Sequence, residues 1–168
     1  EGELSHMLAY MRLEANNYRW RFNLVTGEVR EGDIDDLNTE FNKINPLYGG
    51  QKSRYAYHQY IPTHAEGGYT LRFTGLVKYD NETGKHWRYD YGPGVFGSEA
   101  VYAPKVGATR HAKEDDGYVV NFVHDTTDWT SWFCVFDAQD IEQGPVAKVR
   151  LPGRVPAGFH ATWAPATS

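Results

Sequence analysis

Three segments of one form recur at a fixed interval, and this recurrence limits the possible folds more than any other feature. Trp20-Arg21-Phe22-Asn23 precedes Thr26-Gly27, Val77-Lys78-Tyr79-Asp80 precedes Thr83-Gly84, and Cys134-Val135-Phe136-Asp137 precedes a turn over 138–145. The markers Asn23, Asp80 and Asp137 fall at intervals of 57 residues. An Asn or Asp at the end of an aromatic strand closes the following turn, because its side chain accepts from backbone N–H groups just ahead of it. A repeat of roughly 50 residues built from some four strands is the signature of a β-propeller blade. Three markers imply about three blades, whereas propellers typically close with about 4–8. The expected fold is therefore all-β, a partial β-propeller. An open β-sandwich is the competing architecture.

The rest of the chain agrees with strands. It carries 12 Tyr, 8 Phe and 5 Trp with 17 Gly, and its apolar residues alternate in short runs instead of recurring at the spacing of a helix. Such runs place strands at 7–13, 18–24, 53–61, 69–79, 85–91, 99–103, 117–124, 131–137 and 146–151. Turn residues divide them at Gly92-Pro93-Gly94, Asp115-Asp116-Gly117 and Gly144-Pro145. Residues 137–142 suit a single helical turn.

Several classes of function are disfavoured. A formal charge of −5 is the wrong sign for nucleic acid, which calls for a basic stripe. No apolar run approaches the roughly 20 residues of a transmembrane helix, and no signal peptide is visible. Cys134 is the only cysteine; it excludes an internal disulfide, reads as a small buried apolar residue, and is compatible with a cytoplasmic location. The chain starts without Met and enters a strand-like run almost at once, which reads as part of a longer polypeptide.

Of the seven histidines (His6, His58, His64, His86, His111, His124 and His160), none forms a close metal-binding pair. His160 stands out by its surroundings, Val155-Pro156-Ala157-Gly158-Phe159-His160-Ala161-Thr162-Trp163. A neutral imidazole in a dry apolar setting binds transition metals well; the alternative is a core histidine bonded to a backbone carbonyl. Glu40 and Glu99 sit at expected strand edges among apolar or small neighbours. Burying an unpaired carboxylate is costly, so each needs a partner: the far N–H of a metal-bound histidine, or an ordinary Lys or Arg. The clusters Asp33-Ile34-Asp35-Asp36 and Glu114-Asp115-Asp116 read as solvated turns without the ligand spacing of an EF-hand.

Taken together, the chain resembles the carotenoid cleavage oxygenases and their stilbene-cleaving relatives, from about residue 18 to 164. The resemblance is carried by Asp36-Leu37-Asn38-Thr39-Glu40-Phe41 with Ile44-Asn45-Pro46, Arg54-Tyr55-Ala56-Tyr57, Leu76-Val77-Lys78-Tyr79-Asp80 and Ser98-Glu99-Ala100-Val101-Tyr102-Ala103-Pro104. It continues through Glu114-Asp115-Asp116-Gly117-Tyr118, Val135-Phe136-Asp137-Ala138-Gln139-Asp140 and Gly158-Phe159-His160-Ala161-Thr162-Trp163. The order and spacing of these segments are specific. Asn42-Lys43 departs from the Pro-Arg more usual after Glu-Phe, which bears on the local loop shape and leaves Glu40 in place.

The resemblance implies a seven-bladed propeller with Fe(2+) on its axis, held by four histidines. Residues 1–168 would be the C-terminal part of that single domain, with no separate domains. His160 matches the last of the four ligands, Glu99 a carboxylate that braces it, and Glu40 one that braces a histidine elsewhere. Phe159 would line the substrate tunnel. The implied reaction is cleavage of a C=C bond of a carotenoid, apocarotenoid or phenolic stilbene by O2 to two carbonyl products. Its implied partners are the N-terminal remainder of the propeller, the apolar alkene and O2; alone, the chain would be incomplete and inactive. The alternative is a non-catalytic propeller or sandwich that binds carbohydrate or protein through its aromatic residues.

Overall fold

Ten strands follow one another in the computed structural model, which describes residues 14–63, 72–156 and 158–165. They are β1 (Asn16–Phe22), β2 (Val29–Lys43), β3 (Tyr55–Tyr60), β4 (Gly75–Asp80), β5 (Lys85–Asp90), β6 (Val95–Gly97), β7 (Val101–Pro104), β8 (Gly117–Asp125), β9 (Thr130–Asp137) and β10 (Pro145–Arg150). The strand expected at 7–13, the start of that at 69–79, and the residues His6, His64 and Ala157 lie outside the described residues. The fold is all-β, with every pairing antiparallel. One sheet has the order β1-β2-β3-β4-β5; the other has the order β10-β9-β8-β6, with β7 also on β8. A 3-10 turn at 141–143 overlaps the stretch where a single turn was expected. No helix among the described residues is long and apolar enough to cross a membrane.

The repeated turns close as their sequence requires. The Asn23 side chain accepts from the N–H groups of Val25 and Thr26, at 3.0 and 3.1 Å. Asp80 accepts from Glu82 and Thr83, at 3.0 and 3.3 Å, and Asp137 from Gln139, at 2.8 Å. These turns join β1 to β2, β4 to β5 and β9 to β10. Asp80 is also gripped by Arg54, whose two hydrogen bonds hold its carboxyl well below the usual range.

Two acidic clusters differ from expectation. Asp33-Ile34-Asp35-Asp36 is not a turn but the middle of the 15-residue strand β2. Its register slips between Tyr18↔Asp33 and Asn16↔Asn38, so a bulge absorbs the extra residues. The strand tolerates aspartates here because Asp33 and Asp36 stay exposed. Glu114-Asp115-Asp116 does turn, but it is half-buried and bonded. The Glu114 carboxylate accepts from the backbone N–H groups of Arg54 and Tyr55, each at 2.8 Å, and Asp115 pairs with Lys78 at 2.8 Å.

The core lies between the sheets. Tyr57 and Leu76 of the first pack with Tyr102, Val119, Cys134 and Phe136 of the second. Cys134 is buried as expected, and burial raises its thiol pKa. Polar bonds cross the same interface: Tyr57 donates to the Ala138 carbonyl at 2.9 Å, and Tyr91 links Gln59 to Asn121.

His58 is buried in β3, with Nδ1 at 3.2 Å from the Thr39 hydroxyl and its ring 4.7 Å from that of Tyr79. Burial lowers its pKa to about 4, so the unfolded chain binds a proton there more readily than the folded one. The resulting stability is complete above the unfolded pKa near 6.5 and drains as pH falls toward 4, by up to about 1.4 kcal/mol per pH unit. Urea unfolding followed between pH 7 and 4 should show this slope. His58→Phe should flatten it; an unchanged slope would assign the acid sensitivity to other groups.

Candidate functional site

β2 in the first sheet and the β6–β7 edge of the second each carry a β-bulge. In the first sheet Glu40 pairs with Gln59 and Lys43 with Tyr57, three steps on β2 against two on β3. In the second, Gly97 pairs with Val123 and Val101 with Val120, four steps against three on β8. Bulges redirect side chains out of the alternating pattern. Here the redirected residues include Phe41 and Glu99. Phe41 adopts a φ of 54°, a left-handed conformation uncommon for an aromatic residue. Its ring lies 5.1 Å from those of Phe73 and His160 and 6.2 Å from that of Phe159.

Glu99 occupies the break between β6 and β7 and is only 2% exposed. Its Oε1 pairs with the Lys43 ammonium at 2.8 Å. Its Oε2 accepts from the Ala161 N–H and stands 3.6 Å from His160 Nδ1. Both partners weighed for this carboxylate, a lysine and a histidine, are thus present together. Glu40 is half-buried, accepts from the Phe41 N–H at 3.2 Å, and makes no ion pair among the described residues.

The segment after β10 has no regular structure and is held at intervals: Leu151 N–H donates to the Ser131 carbonyl, Val155 N–H to the Ser131 hydroxyl, and Ala161 N–H to Glu99. His160 is thereby brought beside Glu99 and Phe41. The dry pocket expected for it does not form within the described residues, because its side chain is 78% exposed. The prolines and glycine extend the segment across the surface, and the aromatic neighbours line one side of the ring without enclosing it. With Nδ1 turned to the carboxylate, Nε2 is the nitrogen presented outward.

Phe159 borders a cavity of about 270 Å3, together with Phe73, Phe96, Trp129, His124 and Arg154. His124 Nδ1 lies 3.1 Å from the Ser131 hydroxyl, while its Nε2 is buried without a hydrogen-bond partner. Burial, and secondarily Arg154, lowers its pKa and so favours the neutral ring.

The donor set fits a metal at one point only. His160, backed by a buried carboxylate and with a free outward nitrogen, has the surroundings of a single histidine ligand. No group of three or more His, Cys, Asp or Glu among the described residues is arranged to hold a metal.

A family model described as retinal pigment epithelial membrane protein matches residues 4–165. The chain belongs to this family, the carotenoid cleavage oxygenases. Among curated members, it is 40% identical to carotenoid 9,10(9',10')-cleavage dioxygenase 1 of Pisum sativum over 157 residues, covering 86% of this chain and 28% of that protein. Over 145 residues it is 41% identical to probable carotenoid cleavage dioxygenase 4, chloroplastic, of Arabidopsis thaliana, covering 83% and 23%. Among solved oxygenase structures, the Pseudomonas brassicacearum lignostilbene dioxygenase superposes with a TM-score of 0.76 at 27% identity, over 89% of this chain and 32% of that one. A variant of the Synechocystis apocarotenoid oxygenase gives 0.77 at 24% identity, covering 89% and 30%; that likeness speaks for the fold. The chain spans less than a third of the length of these oxygenases.

Two site residues escaped sequence reading. Phe41 stands beside Glu40 in the family segment, but its turned backbone leaves no trace in the sequence. Lys43 looked like a loop variation, and its pairing with Glu99 spans 56 positions.

Proposed function

We propose that the intact protein is a non-haem iron(II) dioxygenase that cleaves a C=C bond of a carotenoid, apocarotenoid or phenolic stilbene to two carbonyl products. This chain would contribute about three blades of a seven-bladed propeller, and the N-terminal remainder would supply the other three histidines. The observation that carries this reading is the buried Glu99 carboxylate directly behind His160, with the outward imidazole nitrogen free.

Support for the propeller comes from β2. Its first part pairs with β1 in the first repeated hairpin, and its last residues pair with β3 and open the next four-stranded unit, β2-β3-β4-β5. The second unit, β6 and β7 with β8, β9 and β10, repeats that layout, including its bulged inner strand. A unit with one unmatched face requires neighbours on both sides, which is why the chain alone is proposed to be inactive.

Each residue then has a task. His160 donates Nε2 as one of four neutral ligands, and Glu99 orients the ring from behind and keeps Nδ1 as the protonated nitrogen. Ferrous iron, when bound, supplies the electron density that activates O2 toward the alkene. Phe159 and Phe41 form an apolar wall on one side of the ring, against which the alkene would lie. Glu40, which makes no ion pair among the described residues, is left to brace a histidine from the remainder.

The test is metal analysis and oxygen uptake on the full-length protein, with a carotenoid and a stilbene compared side by side and product masses recorded. About one iron per protein and carbonyl products from one substrate class are expected. A protein that binds no iron and consumes no oxygen would favour a non-catalytic binding module.

A further inference from the structure

Resting on the metal-site reading above, we propose that Lys43 is a positioning residue that fixes the Glu99 carboxylate and, through it, His160. Glu99 is 2% exposed, so water does not orient it. Its two oxygens have separate partners: Oε1 takes the Lys43 ammonium at 2.8 Å, and Oε2 takes the Ala161 N–H and faces His160 Nδ1. A carboxylate held at one oxygen by a cation cannot rotate without breaking that contact, so Oε2 stays where the histidine segment needs it.

The bulge in β2 makes this possible. Glu40 and Lys43 are an odd number of residues apart, and in a regular strand they would point to opposite faces. The slip of one residue places them opposite Gln59 and Tyr57, which are two apart and share a face. That face is turned to the second sheet: Tyr57 bonds Ala138, and Gln59 is linked through Tyr91 to Asn121 of β8. Lys43 can therefore reach across from the first inner strand to the break in the second. It ties β2, which carries Glu40, to the break between β6 and β7 that carries Glu99. A lysine serving only as a solvated surface charge would not lie two-thirds buried against a sealed carboxylate.

The experiment compares Lys43→Met and Lys43→Arg in the full-length protein by two readouts. One is hydrogen exchange of the Ala161 amide in the metal-free protein; the other is cobalt(II) affinity from its visible absorption. Lys43→Met is expected to speed Ala161 exchange at least about tenfold and to weaken cobalt binding by about 10-fold, the lower range for loss of an outer partner. Lys43→Arg should restore both to within about threefold of the parent, because the cation is kept. If methionine prevents folding, Lys43→Gln carries the same comparison. Parent-like exchange and affinity in the uncharged variant would overturn the assignment, as would a lowered melting temperature with both readouts unchanged. If the parent itself takes up no cobalt, the oxygenase reading fails, while the Ala161 exchange comparison still decides the role of Lys43.

Discussion

Exchange of His160 for alanine in the full-length protein is expected to reduce bound iron from about one per protein to a small residual fraction, and to abolish oxygen uptake. The expectation rests on ligand number. In the proposed site of four neutral imidazoles and no carboxylate ligand, the loss of one would leave three nitrogens and an open position for water. The experiment is clean because His160 contributes little to folding: its side chain is 78% exposed. The Ala161 N–H bond to Glu99 is made by the backbone and survives the change. Stability of the metal-free proteins should stay within about 0.5 kcal/mol, as for most exposed substitutions, so iron loss with an unchanged metal-free melting temperature reports ligation alone. Iron content equal to the parent's would end the ligand assignment.

What the sequence disclosed about this site was local, and what it hid was long-range or conformational. Asn23, Asp80 and Asp137 were readable as turn closers because each bonds an N–H two or three residues ahead. Cys134 was readable as buried because its neighbours are apolar and aromatic. β2 was not readable, since aspartates are depleted in strands and the bulge that accommodates them depends on pairing with β1. Glu99 and His160 were legible as residue types in family-like segments. Their proximity, across 61 positions, follows only from the break between β6 and β7 and the path of the segment after β10. Phe159 and its neighbours suggested an enclosed imidazole; the extended backbone instead leaves the ring open on the side away from Glu99.

Glu99→Gln is the second large effect expected, a loss of about 10–100-fold in metal affinity or activity in the full-length protein, the span usual for a carboxylate bracing a metal-bound histidine. Glutamine has the same shape, so packing is preserved and the change is electronic. Its amide has one acceptor and one donor end, whereas Glu99 holds the Lys43 ammonium on one oxygen and accepts from the Ala161 N–H on the other, with His160 Nδ1 3.6 Å from the second. If the amide oxygen faces Ala161 and His160, the NH2 group is driven against the ammonium. If the amide flips, the NH2 meets the Ala161 N–H and the imidazole. One donor faces another in either orientation, and at a site 2% exposed no water repairs the conflict. Leaving a buried donor unsatisfied costs about 1–3 kcal/mol, so a lower melting temperature should accompany the loss. Glu99→Asp keeps the charge on a shorter stem and should fall between parent and glutamine variant. Activity within twofold of the parent for Glu99→Gln would remove Glu99 from this role, because no arrangement of an amide accepts from both the Lys43 ammonium and the Ala161 N–H on separate oxygens.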